Sequence, residues 1–138
     1  MGMTENITFP KGLPGFEDLK CFVMEEHNEV FSYLTSVDRK EISFVIVDPF
    51  SFFDSYEFKA SEEALDEIKY MEDELLKVRC IVTLHSDPHR TTANLIAPLL
   101  INETKKLAKQ IVLHDTAYHA KHQLWITDEG GSKKGAGL

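Results

Sequence analysis

Cysteine is scarce in this chain. Cys21 and Cys80 are its two thiols, and neither belongs to a CxxC or Cys–His pattern, so both read as small buried hydrophobes and not as ligands or nucleophiles. Long apolar runs are missing too. No stretch approaches the roughly 18–20 residues a membrane span needs, and no charged-then-apolar signal opens the chain, so a cytoplasmic protein is expected. Cations are outnumbered, with 15 Lys and Arg against 23 Asp and Glu, a net charge of −8. Phosphate binding needs clustered Lys and Arg, which argues against nucleic acid or an anionic membrane as a direct partner. Also lacking are a nucleophile elbow, an HExxH motif and a glycine loop that runs into a helix, the commonest devices for hydrolysis and phosphate binding.

What remains is ordinary for a globular domain: 43% hydrophobic and 28% charged residues. One domain is expected over residues 4–127. The run DEGGSKKGAGL, residues 128–138, has no apolar periodicity and reads as a flexible tail. Strands are predicted at Ile7–Phe9, Cys21–Glu25, Val30–Ser36, Ile42–Val47, Val78–His85, Gln110–His114 and Tyr118–Ile126. In the third, Phe31, Tyr33 and Thr35 oppose Val30, Ser32, Leu34 and Ser36, and bulk in both registers predicts cover on both faces. Two prolines and two glycines in PKGLPG, residues 10–15, predict a fixed turn with Phe16 anchoring it to the core. Five aromatics between Phe50 and Phe58 predict a connection that lines the core.

The chain is organised around TANLIAPLLIN, residues 92–102. Leu95, Leu99 and Ile101 fall on one face of a strand and Ile96 and Leu100 on the other, so both faces are apolar. Pro98 has no N–H for a ladder and belongs at an edge, a bulge or a strand start. Two readings stay open: a core strand with a bulge, or a proline-interrupted edge that accepts another polypeptide. On the second, Asn94, Ile96, Pro98, Leu100 and Asn102 are the partner-binding candidates.

Ser61 is a good N-cap, and Glu62 and Glu63 sit where a helix dipole favours acid. With Ala64, Leu65, Ile68, Met71 and Leu75 at helical spacing, a helix is predicted from Ser61 to about Tyr70. Glu62, Glu63, Asp66 and Glu67 would give it an acidic outer face. Six histidines invite a metal reading. Yet His85 and His89 sit in a turn, and His119 and His122, on a strand, would point to opposite faces. No metal, cofactor or catalytic constellation is expected.

Taken together, GLPGFE (residues 12–17), Leu34-Thr35-Ser36, Asp48-Pro49 with Tyr56, NLIAP leading to Asn102, and QIVL (residues 110–113) resemble the flagellar assembly factor FliW family. Ala108 stands where that resemblance leads one to expect glycine. The resemblance implies a mainly β fold, a small antiparallel β-barrel-like domain with one or two short helices. It also implies a non-enzymatic regulator, monomeric when free, that binds flagellin and alternately CsrA, an RNA-binding repressor of flagellin mRNA. A flagellin-specific chaperone and a histidine-dependent metal hydrolase are the alternatives. Gly12, Pro14 and Gly15 are expected to shape the turn.

Overall fold

Side-chain alternation along four successive strands rolls the chain into a barrel. The structure, a computed structural model, describes residues 4–127 and 133–134. Strand β1 (Thr4–Thr8) pairs antiparallel with β2 (Cys21–Glu26), β2 with β3 (Phe31–Ser36), and β3 with β4 (Ser43–Val47). Strand β5 (Leu76–Thr83) joins β4 through Ile46↔Ile81 and pairs on its other side with β7 (Leu99–Asn102). Strand β8 (Leu107–Gln110) follows β7 and then meets β1 at Leu107↔Thr8, closing a seven-strand barrel. That last pairing is parallel, the exception in an otherwise antiparallel barrel among the described residues. The closing bond is Thr8 N–H to Lys106 O at 2.9 Å.

Inward-facing residues of every second position fill the barrel: Ile7, Phe22, Met24, Leu34, Ile46, Leu99 and Ile101 are buried together. Each such side chain contributes about 1.5–3 kcal/mol by leaving water. A second cluster lies outside the barrel wall, where Phe52, Tyr56, Leu113 and Leu124 cover Val47, Cys80 and Val82. The Phe50–Phe58 connection therefore lines core as its aromatics predict, with Phe50 the exposed exception. Cys80 is buried, and burial pushes its thiol up to about 12. Cys21 is exposed, against expectation, because it opens β2 beside the turn.

The helix α1 (Glu62–Glu67) is shorter than predicted. Ser61 Oγ accepts from Ala64 N–H at 3.1 Å, as an N-cap should. Lys69 then enters the left-handed region (φ 53), and Tyr70 N–H reaches back to Leu65 O at 2.9 Å, ending the helix before Met71. Met71 and Leu75 are consequently exposed, while Ala64 and Ile68 pack on Leu100. Two single-turn 3-10 helices, Pro49–Ser51 and Pro88–Arg90, complete the helical content of the described residues.

The focal stretch is two strands, not one. Thr92–Ala93 forms β6 and pairs with the end of β5, whereas β7 pairs with its beginning. Between them residues 94–98 leave the ladder. Asn94 Oδ1 accepts from Ala97 N–H at 3.0 Å, a local turn that competes with strand pairing. Pro98 enters just before β7, a position where its missing N–H costs nothing. Short strands β9 (His122–Gln123) and β10 (Ile126–Thr127) follow. The expected tail lies outside the described residues except for β11 (Lys133–Lys134), which pairs with β10.

Candidate functional site

Three expected features need placing: the acidic helix, the apolar ledge and the glycine turn. On α1, Glu62, Glu63 and Asp66 are exposed, and none forms an ion pair among the described residues. Glu67 behaves differently. It faces inward beside the PKGLPG turn, with Lys11 Nζ at 2.7 Å and Lys109 Nζ at 3.1 Å. The Lys11 ammonium, and Lys109 after it, hold its carboxyl below the usual carboxylate range against the opposing effect of burial. Glu67 is thus a neutralised structural charge, and the free acidic face consists of the other three.

The ledge is inside the molecule. Leu100 is buried beneath α1, Pro98 is buried, and Asn102 is fully buried. In this conformation they offer no surface to a second chain. Ile96 and Asn94 are half-buried, and the edge beside them is already paired: Leu113 N–H bonds Ile96 O at 2.8 Å and Ile111 N–H bonds Pro98 O at 3.0 Å. A strand-accepting edge therefore does not exist at these carbonyls. Asn102 instead joins three segments. Its amide donates to Ile68 O (3.0 Å) and Glu74 Oε1 (3.1 Å), and its carbonyl accepts from the N–H groups of Thr104 (3.1 Å) and Lys105 (3.3 Å).

A family model described as "FliW protein" matches residues 2–124, nearly the whole described domain. The chain belongs to the FliW family. Among its relatives is a flagellar assembly factor FliW of Bacillus pumilus (strain SAFR-032), 40% identical over 122 residues, covering 87% of this chain and 85% of that one. Another, from Clostridium botulinum (strain Langeland / NCTC 10281 / Type F), is 39% identical over 121 residues, with 86% and 85% covered. A solved structure described as the crystal structure of the flagellar assembly factor FliW matches with a TM-score of 0.81 at 35% identity, covering 86% of this chain and 84% of that one.

In this FliW-family chain the GLPGFE run makes a tight knot. Gly12 and Gly15 both have positive φ (68° and 87°), Phe16 N–H bonds Leu13 O, and Glu17 reaches back to Gly15 N–H at 3.1 Å. Pro14 is exposed at the tip. Ala108, where glycine was expected, sits in β8 opposite Ile101 and is fully buried; the left-handed residue of that turn is Lys106 (φ 59). An alanine fits there without strain.

The histidines do not separate as predicted. His119 lies outside any strand and His122 opens the two-residue strand β9, so the alternation of one strand does not relate them, and their rings stack with centroids 3.7 Å apart. His122 Nε2 accepts from His119 N–H at 2.9 Å, which occupies the lone pair a metal would use. Among the described residues no group of three or more His, Cys, Asp or Glu converges for a metal. Burial lowers the pKa of His122 below 6.5, and its neighbour His119 lowers it further. A depressed base stabilises the fold above its ordinary pKa, and that contribution is lost as pH falls through the folded value. His122→Gln is accordingly expected to flatten the fall in thermal stability below pH 6.5, measured by melting at stepped pH.

One surface was not foreseen. Tyr33 is 41% exposed and Leu84 65% exposed, on the outer face of β3 and just past the end of β5. The Phe31-Tyr33-Thr35 register predicts cover on this face; Phe52 and Trp125 do cover Phe31, but Tyr33 stays exposed.

Proposed function

We propose that this chain is a non-enzymatic cytoplasmic regulator of flagellar assembly. It binds the RNA-binding translational repressor CsrA, relieving repression of flagellin mRNA, and alternately binds flagellin. The observation that carries this reading is the unpaired acid of Glu62, Glu63 and Asp66 on a domain of the FliW family. The relatives' description as flagellar assembly factors supports the flagellar part of it. An RNA binder is cationic where it meets phosphate, so an acidic helix held close to it weakens its attraction for RNA. Screening confines that effect to about 8 Å at physiological salt, which requires docking and not mere proximity. Competition by flagellin for the same factor then links synthesis of the subunit to its export.

The test separates docking from repulsion. Isothermal titration against purified CsrA and purified flagellin establishes binding; a chain that binds flagellin and ignores CsrA is a flagellin chaperone only. In the triple variant Glu62→Lys, Glu63→Lys, Asp66→Lys, CsrA affinity is expected to change less than about threefold, since rim charges mainly tune encounter. Release of a flagellin leader RNA should weaken more than about tenfold, given the steep dependence of RNA binding on local charge. Unchanged RNA release makes α1 a bystander. Glu67 is left out of the variant because its loss would free Lys11 and Lys109 beneath the helix.

A further inference from the structure

Part of the outside of the barrel is covered by other segments. Helix α1 lies over β7, and residues 49–58 with 113–125 lie over β4 and β5. Beside this cover lies a hollow of about 300 Å³ lined by Phe31, Tyr33, Val45, Leu84 and Trp125, with His27 and His85 at its margin. Its floor is aromatic. The ring of Trp125 packs 5.7 Å from Phe52 and 6.4 Å from Phe31, and His27 meets the edge of Tyr33 at 5.8 Å. No lysine or arginine lines it. Glu25 stands directly opposite Tyr33 across the β2–β3 ladder, and Glu29 lines an adjoining hollow with Phe31 and Phe52. Neither glutamate forms an ion pair among the described residues.

We propose that this hollow docks a cationic protein segment, one placing an aliphatic side chain on Leu84 and Trp125 and an Arg or Lys over Tyr33 beside Glu25. The inference rests on the partner-binding reading above and assigns the hollow to the RNA-binding partner. The reasons are chemical. Exposed aromatic faces attract cations, more so where water is excluded, and aromatic hollows with a polar rim are where binding energy concentrates. Glu25 beside Tyr33, with no lysine or arginine among the residues that line the hollow, favours a basic partner and repels nucleic acid. An RNA-binding protein necessarily carries clustered Lys and Arg, which flagellin recognition does not require. The acidic α1 and this hollow then divide the work: the hollow holds the partner and the helix repels its RNA.

Trp125 is the chain's single tryptophan and reports on the hollow directly. Purified CsrA added to the full chain should shift Trp125 emission to the blue and bind in calorimetry. The double variant Tyr33→Ser, Leu84→Ser removes two exposed side chains, so it should keep its melting temperature while losing at least about thirtyfold in CsrA affinity. Glu25→Lys should lose about tenfold, more at low salt than at high. Flagellin binding should be unchanged in both. Loss of flagellin binding with CsrA binding intact overturns the assignment, and so does a double variant that binds CsrA as the parent does. Failure of the unaltered chain to bind CsrA overturns the functional reading itself, a different outcome from intact binding by the variants. A chain ending at Thr127 is the remaining arm. If truncation alone shifts its Trp125 emission while CsrA produces no further shift, the hollow belongs to the chain's own last residues and the proposal is wrong.

Discussion

Replacing Asn102 with alanine should cost about 3–5 kcal/mol and lower the melting temperature by roughly 10–15 °C. The side chain is completely buried and satisfies groups in three places: Ile68 O at the end of α1, Glu74 Oε1 before β5, and the N–H groups of Thr104 and Lys105 after β7. Truncation leaves all of them facing a small void, and a buried polar group without a partner costs about 1–3 kcal/mol. Against a total of about 5–15 kcal/mol for a domain, that is a large share. Asn102→Asp discriminates the mechanism. Its carboxylate still accepts from Thr104 and Lys105 but has no proton for Ile68 O and faces Glu74. It should lose about 2–3 kcal/mol at neutral pH and less in acid. Burial raises the pKa of Glu74, but Lys105, the Met71 N–H and the Asn102 amide together outweigh it and leave the net shift downward. Urea unfolding at pH 7 and below 4.5 measures the difference. Loss of folded protein in these variants is the expected effect, because Asn102 is completely buried and ties three segments together.

Gly12→Ala should be nearly as damaging, at about 2–4 kcal/mol by urea midpoint. Gly12 has φ 68, and an added Cβ would stand 2.7 Å from Glu17 Cα, Glu17 O and Phe16 O, all of them backbone. No rotamer change relieves such a clash; the GLPGFE knot itself must open. Gly15→Ala is the control. Its φ is 87 but nothing lies within 4 Å of the added methyl, so only the left-handed backbone is penalised, at about 1 kcal/mol. A ranking with Gly15 the more sensitive position would contradict the packing described for this turn.

The sequence was readable where local chemistry is decided locally. The β-branched run at Ile42–Val47, the cap at Ser61 and the glycines of the knot each needed only their neighbours. It misled where long-range pairing decides. Residues 92–102 have the period of one strand, yet the Asn94 turn breaks it, and Leu95, Leu99 and Leu100 enter three separate clusters. Met71 and Leu75 continue a helical period beyond a helix that Lys69 has already ended. The acidic face was legible except for Glu67, whose partners Lys11 and Lys109 are remote in sequence. Periodicity locates apolar side chains but does not say which are covered by a distant segment, so the sequence leaves Leu100 open between core and surface and predicts cover for Tyr33, which is exposed.

The parallel contact between Thr8 and Leu107 fixes a timetable for synthesis. Strand β1 and its partner β2 are both made early, but the other side of β1 has no partner until the segment after β7 has been made. During that interval a nascent chain carries an unclaimed ladder of amides, the feature most prone to recruit a stranger. Growth conditions that slow elongation should therefore harm the yield of this protein more than its final stability would suggest.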